Sequence, residues 1–179
     1  MRTQKIIIIT APSGSGKTTL VKRLLVNLPQ LSFSVSACTR KPRENEVNGK
    51  DYYFIEANEF RELINENAFA EWEMVYTDKY YGTLKKELER IWNEGKTPLV
   101  DIDVKGARSI MKTYPEQCKS IFIMPPSVDE LRNRLRNRGT ETERSLEERI
   151  AKASEELNDA SQFNSVVVND KLEMAYEQL

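Results

Sequence analysis

The segment Ala11-Pro12-Ser13-Gly14-Ser15-Gly16-Lys17-Thr18 constrains this chain more tightly than any other. It fits the phosphate-loop pattern G-x-x-x-x-G-K-[ST], with Ala11 in place of the first glycine. Gly14 and Gly16 let the backbone turn so that successive N–H groups point inward at phosphate oxygens. The helix that follows presents its positive end to the same anion. Lys17 can bridge the β- and γ-phosphates of a nucleotide, and the Thr18 hydroxyl can ligate Mg²⁺. Such a loop needs a buried strand before it and a helix after it. Lys5–Thr10 reads KIIIIT, short and β-branched, as a strand buried on both faces should. Leu20, Val21, Leu24, Leu25 and Leu28 then share one helical face, and Pro29 marks the stop. Ala11 matters only if its position requires φ > 0, which alanine tolerates poorly.

With 179 residues the chain is expected to form one compact domain, at roughly 150 residues per domain. Apolar residues make up 39% and charged residues 31%, enough for a proper core. The 27 basic and 28 acidic side chains leave a formal charge of −1, which argues against nucleic acid as a partner. There is no histidine. Its absence removes Ser-His-Asp and Cys-His catalysis, HExxH metal sites and phosphohistidine chemistry together. Cys38 and Cys118 are too few for a Cys-only zinc site and read as buried thiols. The four isoleucines near the start fall short of a signal peptide's apolar core, and no run approaches a membrane span. A cytoplasmic protein is the expectation, with no membrane partner.

Beyond the loop, strand and helix patterns alternate. Further strands are expected at Phe33–Ser36, Pro98–Ile102, Ser120–Met124 and Ser165–Val168. Val104, Ala107, Ile110 and Met111 share a helical face ahead of Pro115. Ser127-x-x-Glu130 and Ser145-x-x-Glu148 read as capping boxes that open helices. This alternation predicts an α/β fold, a parallel sheet with helices on both faces. From Ser34 to about Tyr81 the rhythm breaks, with a short helix after Asn58 and a strand over Ala70–Tyr76. That stretch reads as an inserted, partly antiparallel subdomain. Lys171–Leu179 looks like a helix without a terminal cap, so continuation of the natural chain is expected.

Other residues carry chemistry. Asp101 and Asp103 leave an apolar strand, where a carboxylate can hold Mg²⁺ or its waters. Asp103-Val104-Lys105-Gly106 also fits the D-x-x-G of regulatory GTPases, but their N-K-x-D guanine reader is absent. Arg40 and Arg43 flank a Pro42 kink that could aim both planar forks at one phosphate. Tyr52 and Tyr81 could add hydroxyl donors, and Phe69-Ala70-Glu71-Trp72 sets a carboxylate among apolar residues. Arg132, Arg134, Arg136 and Arg138 lie within seven residues that contain no acid, and Arg144 and Arg149 follow. Charges so dense repel unless an anion or the neighbouring glutamates answer them.

Taken with S-V-S-A-C-T-R-K-P-R, V-N-G-K-D-Y, F-A-E-W, Y-Y-G-T, D-I-D, R-G-T-E-T-E and V-V-N-D, these residues resemble the guanylate kinases from Lys5 to Leu179. The resemblance implies a phosphate-loop core over 1–33 and 84–179, a GMP-binding segment over 34–83 and an arginine-rich lid at about 132–149. It implies that Ala11 to Thr18 and Asn169 bind ATP, and that Lys17, Arg134, Arg138 and Arg149 serve catalysis, while Arg132 and Arg136 face solvent. Arg40, Arg43, Tyr52 and Tyr81 would hold the GMP phosphate. Glu71 and Asp103 would accept hydrogen bonds from guanine, with the Ser36 and Thr83 hydroxyls nearby. Thr18 and Asp101 would hold Mg²⁺, the carboxylate directly or through water. Substrates would be ATP and GMP or dGMP, and the assembly a monomer or homodimer. Rival readings are a phosphate-loop kinase with another acceptor and a protein-binding module that has lost catalysis. Without histidine, no side-chain type present has an unperturbed pKa between about 5 and 8. Activity with GMP is therefore expected to follow the acceptor's own second pKa of about 6. A carboxylate raised by burial, Asp103 foremost, is the group that would disturb this profile.

Overall fold

The structure is a computed structural model and describes residues 4–76, 78–137 and 143–179. The isoleucine run forms β1, Ile6–Thr10. Because successive strand side chains face opposite ways, the run supplies two cores at once. Ile6 and Ile8 pack with Leu88, Val100, Val104, Ala107, Ile110 and Phe122 on one side. Ile9 packs with Leu20, Val21, Leu24, Leu99, Ile123, Val167 and Ala175 on the other. The helices delivering those residues are α1 (Lys17–Asn27), α3 (Lys85–Asn93), α4 (Val104–Thr113) and α7 (Leu172–Glu177). They cover a five-stranded parallel sheet in the order β2-β7-β1-β8-β9. Its other strands are β2 (Leu31–Phe33), β7 (Thr97–Asp101), β8 (Cys118–Met124) and β9 (Ser165–Val168). In register, Ile9 stands opposite Asp101, so the end of β7 delivers its carboxylate beside the phosphate loop.

A second sheet has the order β4-β3-β6-β5, from β3 (Ala37–Cys38), β4 (Tyr53–Phe54), β5 (Phe69–Tyr76) and β6 (Lys79–Leu84). β5 and β6 are antiparallel, whereas β3 and β4 are parallel. Helix α2 (Ala57–Asn65) buries Phe60 against this sheet, stacked on Phe69 and Tyr80 at 4.3 and 5.2 Å between ring centroids. The remaining helices, α5 (Val128–Asn137) and α6 (Glu143–Asn158), join through Leu131, Leu135, Leu146, Ile150 and Ala153.

Two sequence expectations are corrected. The strand expected at Phe33–Ser36 does not form: β2 ends at Phe33, residues 34–36 belong to no strand, and β3 begins at Ala37. Ser34 still donates its amide to Leu99 O at 2.9 Å, so the apolar run spans a crossing between sheets rather than one ladder. Ser145 is not a helix cap, because α6 is already formed at Glu143. The Ser127 box holds in its first half, with Glu130 N donating to Ser127 Oγ at 3.0 Å.

Candidate functional site

Three neighbouring cavities surround Lys17 and Thr18. The first, about 340 Å³, is walled by Ala11 to Thr18 together with Asp103, Arg149, Lys152 and Glu156. Gly14 and Gly16 take φ of +95° and +86°, the left-handed values that glycine alone adopts cheaply. Gly16 also sits against the Asn169 amide, where a side chain would collide. Among the described residues the non-glycine positions with positive φ are Asn67 and Asp78, so Ala11 in place of glycine brings no such strain. Asn169 does not line this cavity. It is buried behind it, and its Nδ2 donates to Ser15 O at 2.7 Å, bracing the loop from beneath.

The second cavity, about 310 Å³, is lined by Lys17, Ser36, Tyr52, Glu71, Glu73, Tyr81, Gly82, Asp101, Ile102 and Asp103. Lys17 faces both cavities, its ammonium 2.5 Å from Asp101 Oδ1 and 2.9 Å from Ile102 O. Asp103 Oδ1 caps α4 by accepting from Gly106 N at 2.9 Å. Glu71 Oε1 accepts from the Thr83 amide at 2.9 Å and its hydroxyl at 2.7 Å. Burial pushes the Glu71 carboxyl up to about 7; Asp103 and Glu73 add to the rise, and the Thr83 bonds oppose it. The Tyr52 phenol, pushed up to about 12 by burial and Asp101, stays protonated. The carboxylate raised here is therefore Glu71, where the sequence put Asp103 foremost. Burial of the Glu71 carboxyl is the reason.

The third cavity, about 550 Å³, opens beside Arg40, Arg43, Lys50, Tyr52, Tyr81 and Thr18. Arg40 is already engaged. Its two terminal nitrogens meet the Glu46 carboxylate at 2.5 and 2.6 Å, and its guanidinium lies over Tyr52, 5.0 Å from the ring centroid. Glu46 also accepts from Arg43 N at 2.8 Å, and Arg40 holds its carboxyl down at about 2. Glu46 escaped the sequence reading, although an acid three residues after Arg43 in a tight turn was a usable signal.

The arginines of α5 and α6 separate by partner. Arg132 pairs with Glu147, Arg136 with Glu143 at 3.6 Å and Arg144 with Glu148 at 3.0 Å. Arg149 reaches into the loop cavity, 3.3 Å from Ser13 Oγ. Arg134 does not line that cavity: it donates to Asn169 O at 2.9 Å and to Glu130 at 2.8 Å, because those acceptors lie within its reach behind the loop. Arg138 lies outside the described residues.

A loop cavity joined through one lysine to a carboxylate-lined cavity suits the transfer of an anionic group between two ligands. The family model described as guanylate kinase matches residues 3–179, nearly the whole chain. The chain belongs to the guanylate kinase family. A guanylate kinase of Porphyromonas gingivalis is 49% identical over 176 residues, covering 98% of this chain and 94% of the relative. One from Bacteroides fragilis is 49% identical over 171 residues, 96% of this chain and 84% of the relative. The crystal structure of guanylate kinase from Anaplasma phagocytophilum superposes with a TM-score of 0.77 at 32% identity, covering 97% of this chain and 81% of that one. Family membership and the α/β fold therefore agree. Among the described residues no helix is long and apolar enough to cross a membrane.

Proposed function

We propose that the protein is a nucleoside monophosphate kinase catalysing ATP + GMP ⇌ ADP + GDP, with dGMP as an alternative acceptor, in cytosolic purine nucleotide metabolism. The observation that carries the reading is the placement of Lys17. It faces the glycine-lined loop cavity on one side and the cavity holding Glu71 and Asp103 on the other. Residues 11–18 bind the ATP phosphates through inward N–H groups, braced by Asn169. Arg149 meets the charge that develops on the transferring phosphoryl group, and Arg138 is assigned the same task. Arg134 serves the donor side through the Asn169 carbonyl it holds. Segment 34–83 binds GMP and residues 132–149 act as the lid.

On the acceptor side, Arg40, Arg43, Tyr52 and Tyr81 bind the GMP phosphate. A GMP phosphate oxygen attacks the γ-phosphorus in line, and the bond to the β-phosphate oxygen breaks as ADP leaves. The acceptor phosphate is already ionised, so no protein base is required. Guanine offers two donors on its Watson–Crick edge, at N1 and the 2-amino group. With Thr83 holding Glu71 Oε1, the second oxygen meets that edge, Asp103 accepts beside it, and Ser36 and Thr83 complete the polar lining. Adenine would leave these carboxylates unanswered, and sites of this kind reject a wrong ligand by roughly 10⁴-fold.

A hydroxyl at the loop and carboxylates at the strand end form an oxygen donor set that suits Mg²⁺. Thr18 and Asp101, the latter through water, are the residues that would hold it. Bound there, the ion would neutralise phosphate charge. A coupled ADP-release assay offering GMP, dGMP, AMP, CMP and UMP tests the whole reading. Turnover is expected with GMP and dGMP. A preference for another acceptor would overturn the assignment of the base pocket, and loss of ATP turnover altogether would favour a binding module.

A further inference from the structure

Two positions beyond each carboxylate assigned to guanine stands a charge the reaction does not use. Glu73 follows Glu71 by two residues along β5, so it projects from the same face, and it lines the same cavity. Lys105 follows Asp103 by two residues, in the first turn of α4, and its ammonium pairs with Glu73. The pair crosses between the two elements that carry the base-reading carboxylates. Those elements touch closely here: a Cβ added to Gly106 would stand 3.0 Å from Glu71 Oε2. Glu73 is largely enclosed, its side chain 19% exposed, whereas Lys105 extends over the surface at 69% to reach it.

The first turn of a helix disfavours a cation, because the macrodipole there is positive. Helix energetics alone therefore give no reason for a lysine at 105, while Glu73 does. The groups facing Glu71 from the surrounding elements are Glu73 on its own strand, Tyr81 and Thr83 on β6, Asp103 and Lys105 on α4, Asp101 on β7, Lys17 on α1, and Tyr52. Of the two cations, Lys17 is held by Asp101. Lys105 is the one placed to offset Glu73.

We propose that Lys105 is a positioning residue for guanine recognition: paired with Glu73, it offsets a third negative charge beside Glu71. The proposal rests on GMP being the acceptor. Glu71 must be ionised to accept from guanine, and every unneutralised carboxylate nearby opposes that form. Glu73 already contributes to the rise at Glu71.

The test compares Lys105→Met, Lys105→Arg, Glu73→Gln and the Lys105→Met/Glu73→Gln pair, reading KM for GMP and for ATP, kcat, and the acid limb of kcat/KM for GMP. For a partly exposed ion pair, Lys105→Met should raise the KM for GMP about two- to fivefold at pH 7. Its acid limb should move to higher pH, while kcat and the KM for ATP stay near wild type. Glu73→Gln should move the limb to lower pH with no rise in KM. The double variant should recover the wild-type KM, and Lys105→Arg should retain it. GMP's own titration is common to all variants, so any difference between limbs belongs to the protein. An unmoved KM and limb in Lys105→Met would overturn the proposal. So would a double variant as impaired as Lys105→Met, since a merely mechanical strap behaves that way. If the wild-type protein turned over no GMP, the acceptor assignment itself would fall, which is a separate result.

Discussion

At Glu71 the chain holds a carboxylic acid in a setting that resists its ionisation until about pH 7. Its folded pKa lies above the unfolded value, so its contribution to stability is fully present below about pH 4.5 and is lost as pH rises through 7. Glu71→Gln keeps an acceptor for Thr83 but carries no charge, and should leave the protein more stable than wild type at pH 8 by about 3 kcal/mol. That advantage should vanish near pH 4.5, as urea titrations at both pH values would reveal. The same variant should lose kcat/KM for GMP by far more than for AMP, because its NH₂ group confronts a donor-rich edge. An unchanged GMP-to-AMP ratio would remove Glu71 from base recognition. In the wild type, kcat/KM for GMP should fall below about pH 7 as Glu71 takes up a proton. With an acceptor analogue of shifted phosphate pKa, part of the inflection should stay where it is. Lys17→Ala should lower kcat more than tenfold, since charge clamps on a transferring phosphoryl group are worth several kcal/mol. A variant that retained a tenth of wild-type kcat would deny the lysine that task.

The elements divide by how local their causes are. β1, β7, β8, β9 and α1 were legible because apolar period and loop chemistry coincide there. The break between β2 and β3 was not, because Phe33-Ser34-Val35-Ser36 alternates like one strand and only the tertiary crossing divides it. Ser145 misled for a similar reason: a capping box is a local pattern, and α6 begins ahead of it. At the site, residue types pointed to phosphate and carboxylate chemistry, but partners distant in sequence could not be read. Asn169 is 154 positions from the carbonyl it braces, and Lys105 is 32 from Glu73. Asn169→Ala would leave Ser15 O without that donor in a buried setting, a loss of about 1–3 kcal/mol. The expected signature is a raised KM for ATP, with GMP affinity by calorimetry left near wild type. Equal losses for both ligands would mean that the brace supports the whole fold rather than the loop.

Across the whole molecule, the ends of β1 and β7 bring anion donors and carboxylates to one rim of the sheet. Arg149 closes that rim from α6, through the Ser13 hydroxyl. Arg149→Ala should therefore lower kcat far more than it raises the KM for GMP, the pattern of a group that meets charge mainly in the transition state. A pure KM effect in steady-state kinetics would instead make it a ground-state contact. The Arg40–Glu46 pair has a consequence for ligands that arrive in pieces. Any phosphate approaching Arg40 competes with a carboxylate tethered to the same turn, hence present at high effective concentration. A phosphate joined to guanosine shares that advantage once its base is seated, because its own tether then holds it in place. Free inorganic phosphate has no tether, so it should inhibit GMP phosphorylation only feebly, and an acceptor site built on this pair would discriminate by connectivity as well as by charge.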